Sequence, residues 1–186
     1  LIYTLANLRK SCGEGRAFRY LLFWGHTLPK DGSINESCLS QWWMSDFVSD
    51  SISYSCAEQY MMAEKARLFG DEKALAAIMN ASKPQEMKAL GRTVRNFDTA
   101  IWERHGYEAV KRGCRAKFAQ NAELKRYLLS TGDLILVEAS PYDRIWGIGI
   151  GRDHPDSGHP MRWKGTNLLG FALTEARDEL LKEEGD

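Results

Sequence analysis

The sequence predicts an α+β domain, predominantly helical, with a few short β-strands. Three observations carry that reading. Apolar residues recur at helical spacing in several long stretches bounded by polar caps and glycine stops. The β-like runs are few, brief and separated by turn-forming residues. There are no internal repeats or low-complexity tracts, and 186 residues, 44% apolar and 27% charged, suit one soluble domain spanning 1–186 that buries a core without disulfide staples.

Residues 1–19 are weakly patterned and predict nothing firm. Phe18 to Trp24 is an aromatic and apolar run ending at Gly25, which predicts a buried strand. Residues 25–50 are rich in Gly, Pro, Ser, Asn and Asp around a Gln41-Trp42-Trp43-Met44 cluster, and predict a long ordered loop or hairpin. Ile52 to Tyr54 reads as a second strand. Ser55 to Gly70 is a punctuated helix: Ser55 and Glu58 form a capping-box pattern, and Gly70 is a left-handed stop.

Asp71 caps a helix through Met79, Ser82-Lys83-Pro84-Gln85 restarts one that ends at Gly91, and Asp98 caps a longer one through Ala119. Gly106 and Gly113 mark a bend or break in that long helix. Asn121 starts another, stopped by Gly132. Leu134–Val137 and Ile145–Ile150 read as strands around a Ser140-Pro141-Tyr142-Asp143 turn. A polar loop from Arg152 to Lys164 leads to a last helix starting near Thr166.

Composition excludes several classes. No apolar run approaches the ~18 residues of a membrane span. Four scattered cysteines form no Cys-x-x-Cys pair, so they read as reduced thiols in a cytoplasmic protein rather than a zinc site. His154 and His159, with Asp153 and Asp156, lack a third fixed ligand, so neither metal nor cofactor is expected. Formal charge is zero, yet residues 61–130 carry fourteen Lys/Arg against eight Asp/Glu, a basic middle suited to an anionic ligand or to a solvated helix surface.

The chemistry candidates centre on the punctuated helix. Glu58 and Lys65 are seven apart, so ~100° per residue brings an acid and an amine to one face, roughly 10 Å apart. Glu58 is either a capping glutamate or a cavity carboxylate able to exchange protons; Lys65 is either a solvated lysine or a desolvated amine. The run from Trp146 through Gly147 to Gly151 is G-x-G-x-G, not a dinucleotide fingerprint, and reads as a glycine strand that a ligand approaches closely. Asp143 before it is an Asx-turn residue or a second site carboxylate.

Lys164-Gly165-Thr166-Asn167 could hold a phosphate at a helix start, although it is no P-loop. Arg115 and Lys117 are a further phosphate option or plain surface charges. Trp24, Trp102 and Trp146 are core residues or flat faces for a base or sugar.

Taken together these segments resemble the NADAR family, also called YbiA-like proteins, from about Tyr20 to Leu180. The markers are Phe23-Trp24-Gly25-His26; Ala57-Glu58-Gln59-Tyr60 with Ala63-Glu64-Lys65; Ala81-Ser82-Lys83-Pro84 to Gly91-Arg92; Ala116-Lys117-Phe118 with Gln120; Leu128-Leu129-Ser130-Thr131-Gly132; Trp146-Gly147-Ile148-Gly149; and Asn167-Leu168-Leu169-Gly170. The resemblance implies N-glycosidase chemistry on ribosylated compounds: hydrolysis of phosphoribosylamino-pyrimidine riboflavin intermediates, or removal of ADP-ribose from guanine, including in nucleic acid.

It places Glu58, Trp102 and Asp143 at catalytic positions and makes Lys65 a candidate covalent amine. Trp24, Gly25, Tyr60, Arg115, Lys117, Trp146, Gly147, Lys164 and Asn167 become candidate substrate contacts. Two departures stand out: the position after Glu58, often histidine in the family, is Gln59, and the 25–50 insertion exceeds the shortest members. A non-catalytic ADP-ribose or nucleotide-binding module would use the same pocket. A purely structural domain would leave the Glu58–Lys65 face exposed.

Overall fold

The computed structural model describes residues 3–185, and seven helices and four strands lie among them. The single domain expected from length is built of two compact units, Leu1–Ser40 with Glu123–Asp186, and Gln41–Ala122. Among the described residues no helix is long and apolar enough to cross a membrane.

In the unit Gln41–Ala122, strands β2 (Met44–Ser49) and β3 (Ile52–Cys56) form an antiparallel hairpin. Its turn holds Asp50 and Ser51 at φ 50° and 64°, the doubly left-handed geometry that matches strand twist but crowds any Cβ. Ser51→Gly is therefore expected to stabilise, since relieving about 1–2 kcal/mol of strain exceeds glycine's entropic cost of about 0.5–1 kcal/mol. A thermal melt should show a small rise in Tm.

Helix α2 (Ala57–Leu68) follows the hairpin directly and contacts α3 (Glu72–Asn80), α4 (Pro84–Arg92) and α5 (Thr99–Gln120). Its C-terminus closes as the glycine predicts: Gly70 is at φ 67°, its N–H donates to Arg67 O, and the Asp71 N–H donates to Ala66 O. Asp71 then caps α3 by accepting from the Ala74 N–H at 3.2 Å, and also accepts from the Arg95 backbone and guanidinium.

Those Arg95 bonds hold the Asp71 carboxyl far below the usual carboxylate range. The folded value is depressed, so the stabilisation is present above an unfolded pKa of about 3.9 and is lost as pH falls below it. Asp71→Ala should lower Tm by several degrees at pH 7, with the gap to wild type narrowing towards pH 3.

Two expectations fail in α4 and α5. Lys83, not Ser82, is the N-cap of α4, with no side-chain cap bond. Helix α5 runs unbroken for 22 residues through Gly106 and Gly113. These glycines mark close packing instead of a bend. A Cβ on Gly113 would lie 2.5 Å from the Tyr60 ring, and one on Gly106 2.8 Å from the Trp102 ring.

In the other unit, β1 (Tyr20–Phe23) and β4 (Ile135–Glu138) pair in parallel, Tyr20 opposite Ile135 and Phe23 opposite Glu138. Helix α7 (Leu168–Gly185) packs on β4, where Thr174 Oγ1 donates to Gly170 O and accepts from the Leu136 N–H. Arg177, 2% exposed, donates to Leu134 O and Thr131 Oγ1, so its charge lies within hydrogen bonds. Helix α6 (Ala122–Ser130) ends at Gly132, φ 59°.

The segment 1–19, from which nothing was expected, contains α1 (Leu5–Gly13), capped by Thr4 and burying only Leu8. Arg9 pins it by donating to Pro160 O and Trp163 O. The strand expected at Ile145–Ile150 does not form. Its first carbonyls turn to the start of α7 instead, with Leu168 N–H donating to Ile145 O and Leu169 N–H to Trp146 O.

Candidate active site

The start of α2 places Glu58 in its first turn, 5% exposed, with its backbone N–H donating to Gln41 O at 3.0 Å. The N-cap is Cys56, with no side-chain cap bond, so the expected Ser55–Glu58 box does not form. Gln59 does the reaching back: its Oε1 accepts from the Ser55 N–H at 2.8 Å and from Ser55 Oγ at 3.1 Å. Its Nε2 donates to Ile78 O and Met79 O, tying the helix start to the end of α3. The residue that departs from the family's usual histidine thus makes the helix-start bond expected of Glu58.

The surroundings of Glu58 are sulfur-rich and charged. Cys56 is fully buried, with Sγ 3.6 Å from Met87 Sδ. Burial pushes its thiol pKa up, the Gln59 backbone N–H pulls it back, and the nearby Glu58 and Lys117 side chains act in opposite senses, Glu58 raising it and Lys117 lowering it. Lys117 is 1% exposed, which corrects the plain-surface-charge reading of this lysine. A carboxylate in the first turn also meets the positive end of the helix dipole.

Lys65 has different surroundings, near the other end of α2. Its Nζ donates to Gly91 O at 2.8 Å, near the end of α4, and lies 4.0 Å from the Phe97 ring centroid. Burial first, and then the Arg92 charge, lower its pKa from the usual lysine range. Trp102 stands in the first turn of α5, which Asp98 caps by accepting from the Ile101 N–H; the ring is half-buried over Gly106. Arg115 is half-buried farther along α5. Tyr60 is 1% exposed inside an aromatic cluster with Phe47 and Tyr54, which gives it a packing task.

The remaining candidates lie in the other unit. Asp143 Oδ1 accepts from the Ile145 and Trp146 N–H groups at 2.9 and 2.8 Å, an Asx turn that fixes the loop. Trp146 is half-buried, and Gly147 is buried where a Cβ would lie 2.9 Å from Glu138 O. That closeness belongs to the protein's own backbone. Trp24 is 48% exposed, before Gly25 at φ 88°.

Asn167 is fully buried at φ 57°, its Oδ1 accepting from the Glu138 N–H and its Nδ2 donating to Leu136 O. The helix-start phosphate cradle is therefore corrected: loop carbonyls take the Leu168 and Leu169 N–H groups, and Asn167 completes β4. Lys164 remains exposed beside it. Sequence reasoning took Tyr142 only as part of a turn and assigned Arg144 no role; both are exposed and flank Asp143. An aromatic ring inside a Ser-Pro-x-Asp turn was the available signal.

Among the described residues no group of three or more His, Cys, Asp or Glu side chains could hold a metal ion. His154 Nδ1 accepts from the Asp156 N–H, and Asp156 pairs with Arg162, so these loop residues brace one another.

Residues 22–181 match the profile of the NADAR domain. The chain is 42% identical over 166 residues to the N-glycosidase R617 of Acanthamoeba polyphaga mimivirus, covering 87% of this chain and 96% of that one. It is 34% identical over 134 residues to the N-glycosidase YbiA of Escherichia coli K12, covering 72% and 75% respectively. The solution structure of E. coli YbiA superposes with a TM-score of 0.72 at 27% identity, covering 92% of this chain and 90% of that one. With 160 of its residues inside the profile and two-thirds or more of it shared with these relatives, the chain belongs to the NADAR family.

Proposed function

We propose that the chain hydrolyses the C–N glycosidic bond at the ribose anomeric carbon of a phosphate-bearing substrate, an ADP-ribosylated guanine in preference to a phosphoribosylamino-pyrimidine. Kinship with proteins named N-glycosidases makes it a hydrolase of N-glycosyl compounds. The observation that supports the active-site reading is Glu58: a buried carboxylate in the first turn of α2 whose capping task Gln59 has taken over.

Cleavage builds positive charge on the sugar and negative charge on the departing base. A carboxylate relieves the first, and a proton donor the second. Glu58 is assigned the acid/base task and Asp143, held in its Asx turn, sugar orientation and charge stabilisation. Trp102, its ring fixed over Gly106, is assigned to stacking on the leaving base. Lys65 is assigned attack on the anomeric carbon of the ring-opened sugar: its Nζ–C1 bond forms a Schiff base as the C1–N bond to the protonated base breaks, and water then hydrolyses the Schiff base to free the sugar and the amine.

Mass detection of the released base and sugar tests the reading. Incubation with ADP-ribosylated guanine, free and in an oligonucleotide, and with phosphoribosylamino-pyrimidine should release base from at least the first. Tight ADP-ribose binding with no base released from any of them would make the chain a binding module instead. Borohydride added during turnover should attach the sugar's mass to Lys65; an unmodified Lys65 would limit it to phosphate contact.

A further inference from the structure

The loop that carries Asp143 bears an exposed ring, Tyr142, and an exposed cation, Arg144, and these meet a second exposed ring, Trp24 after β1, and a second exposed cation, Lys164 before α7, that the reaction above does not use. Tyr142 is 87% exposed and Trp24 48%, and their ring centroids are 6.1 Å apart at an interplanar angle of 52°. Leaving two neighbouring rings in water forgoes burial that the core would reward. Arg144 and Lys164 are both exposed and converge over Gly149: a Cβ there would lie 3.0 Å from Arg144 Cγ and 3.2 Å from Lys164 Cβ.

The support under these groups is stiff. Asp143 Oδ1 accepts two loop N–H groups, and Ser140 Oγ accepts from the Tyr142 N–H. Carbonyls from Arg144 to Gly147 accept the N–H groups of Thr166 to Leu169. Gly165 packs so closely that a Cβ would stand 2.3 Å from Gly147 O. Rings and cations on a stiff loop lose little freedom when a ligand arrives, so more of their interaction energy appears as affinity. Aromatic faces beside cations are the chemistry that recognises a nucleotide: the ring stacks and the phosphate pairs. With the α7 start closed by the loop carbonyls, phosphate contacts here come from side chains.

We propose that Tyr142 and Trp24, with Arg144 and Lys164, are specificity-determining residues that hold a second nucleotide unit of the substrate, beyond the base that leaves; this rests on the N-glycosidase reading above. The unit comes from one of two sources, the adenylate half of an ADP-ribosyl group or a neighbouring nucleotide in a polynucleotide. A phosphoribosylamino-pyrimidine carries neither.

The test compares kcat/KM for ADP-ribosylated guanosine, the same base in a single-stranded oligonucleotide, and phosphoribosylamino-pyrimidine. Tyr142→Ala should lower the ratio of either of the first two to the third by about tenfold or more, through KM, as loss of one stacked base does. Tyr142→Phe should retain the ratio. Arg144→Ala should weaken the same substrates and flatten their salt dependence.

A loss on the free nucleoside substrate identifies the adenylate; a loss confined to the oligonucleotide identifies the neighbouring nucleotide. Calorimetry of wild type and Tyr142→Ala with ADP-ribose and with an unmodified oligonucleotide decides the point independently of turnover. Weakened binding of either supports the inference even if no base is ever released, the result that would sink the glycosidase reading alone. Equal losses on all three substrates, or unchanged ratios with unchanged affinities, overturn it.

Discussion

Gly170→Ala should unfold the chain at markedly lower temperature, with a stability loss of about 3 kcal/mol, on the order of 6–12 °C in Tm. Helix propensity alone argues the other way, since alanine in a helix interior gains about 1 kcal/mol over glycine. Geometry decides the sign. A Cβ on Gly170 would stand 2.1 Å from Leu136 O and 2.5 Å from Asn167 Oδ1. One is backbone of β4; the other is a fully buried amide already bonded to Glu138 and Leu136. Neither yields without breaking the seam between α7 and β4. Gly91→Ala is the contrast: the three atoms nearest its Cβ all belong to the flexible Met62 side chain, Sδ first, so a smaller loss is expected. Calorimetric melts of both variants check the pair.

Much of the local punctuation was legible in the sequence because its causes are local, although the Ser55 and Ser82 caps do not form as read. The Gly70 stop and the Asp71 and Asp98 caps all form, since each needs only residues a few positions away. What the sequence concealed depends on partners far along the chain. The alternating isoleucines of 145–150 look like a strand, yet the carbonyls of Ile145, Trp146 and Gly147 close the start of α7. Gly106 and Gly113 look like helix breaks until the Trp102 and Tyr60 rings that fill them are seen. Helix α1 buries one residue, so it has almost no apolar stripe to read.

The candidate site divides the same way. Spacing located Glu58 and Lys65 but could not foresee that Gln59 would take the capping bond or that Lys117 would be buried. Trp102 and Asp143 stood as open alternatives on the residues alone, core or stacking face and Asx turn or site carboxylate, and only the family resemblance implied catalytic positions for them, because neither stacking nor a second carboxylate has a sequence period.

Glu58→Gln carries the largest expected effect on activity. The substitution keeps volume and hydrogen-bonding capacity while removing the proton that acid/base catalysis moves. Loss of that function lowers turnover by about 10²–10⁴. Fold should survive, because the α2 start is held by the Glu58 N–H on Gln41 O and by Gln59 on Ser55, neither of which uses the Glu58 side chain. The discriminating measurement is therefore base release from ADP-ribosylated guanosine, followed by mass at equal enzyme concentrations, for wild type and Glu58→Gln of matched Tm. The account predicts steady release by wild type and a loss of at least a hundredfold in the variant. Equal release by a correctly folded Glu58→Gln would contradict it.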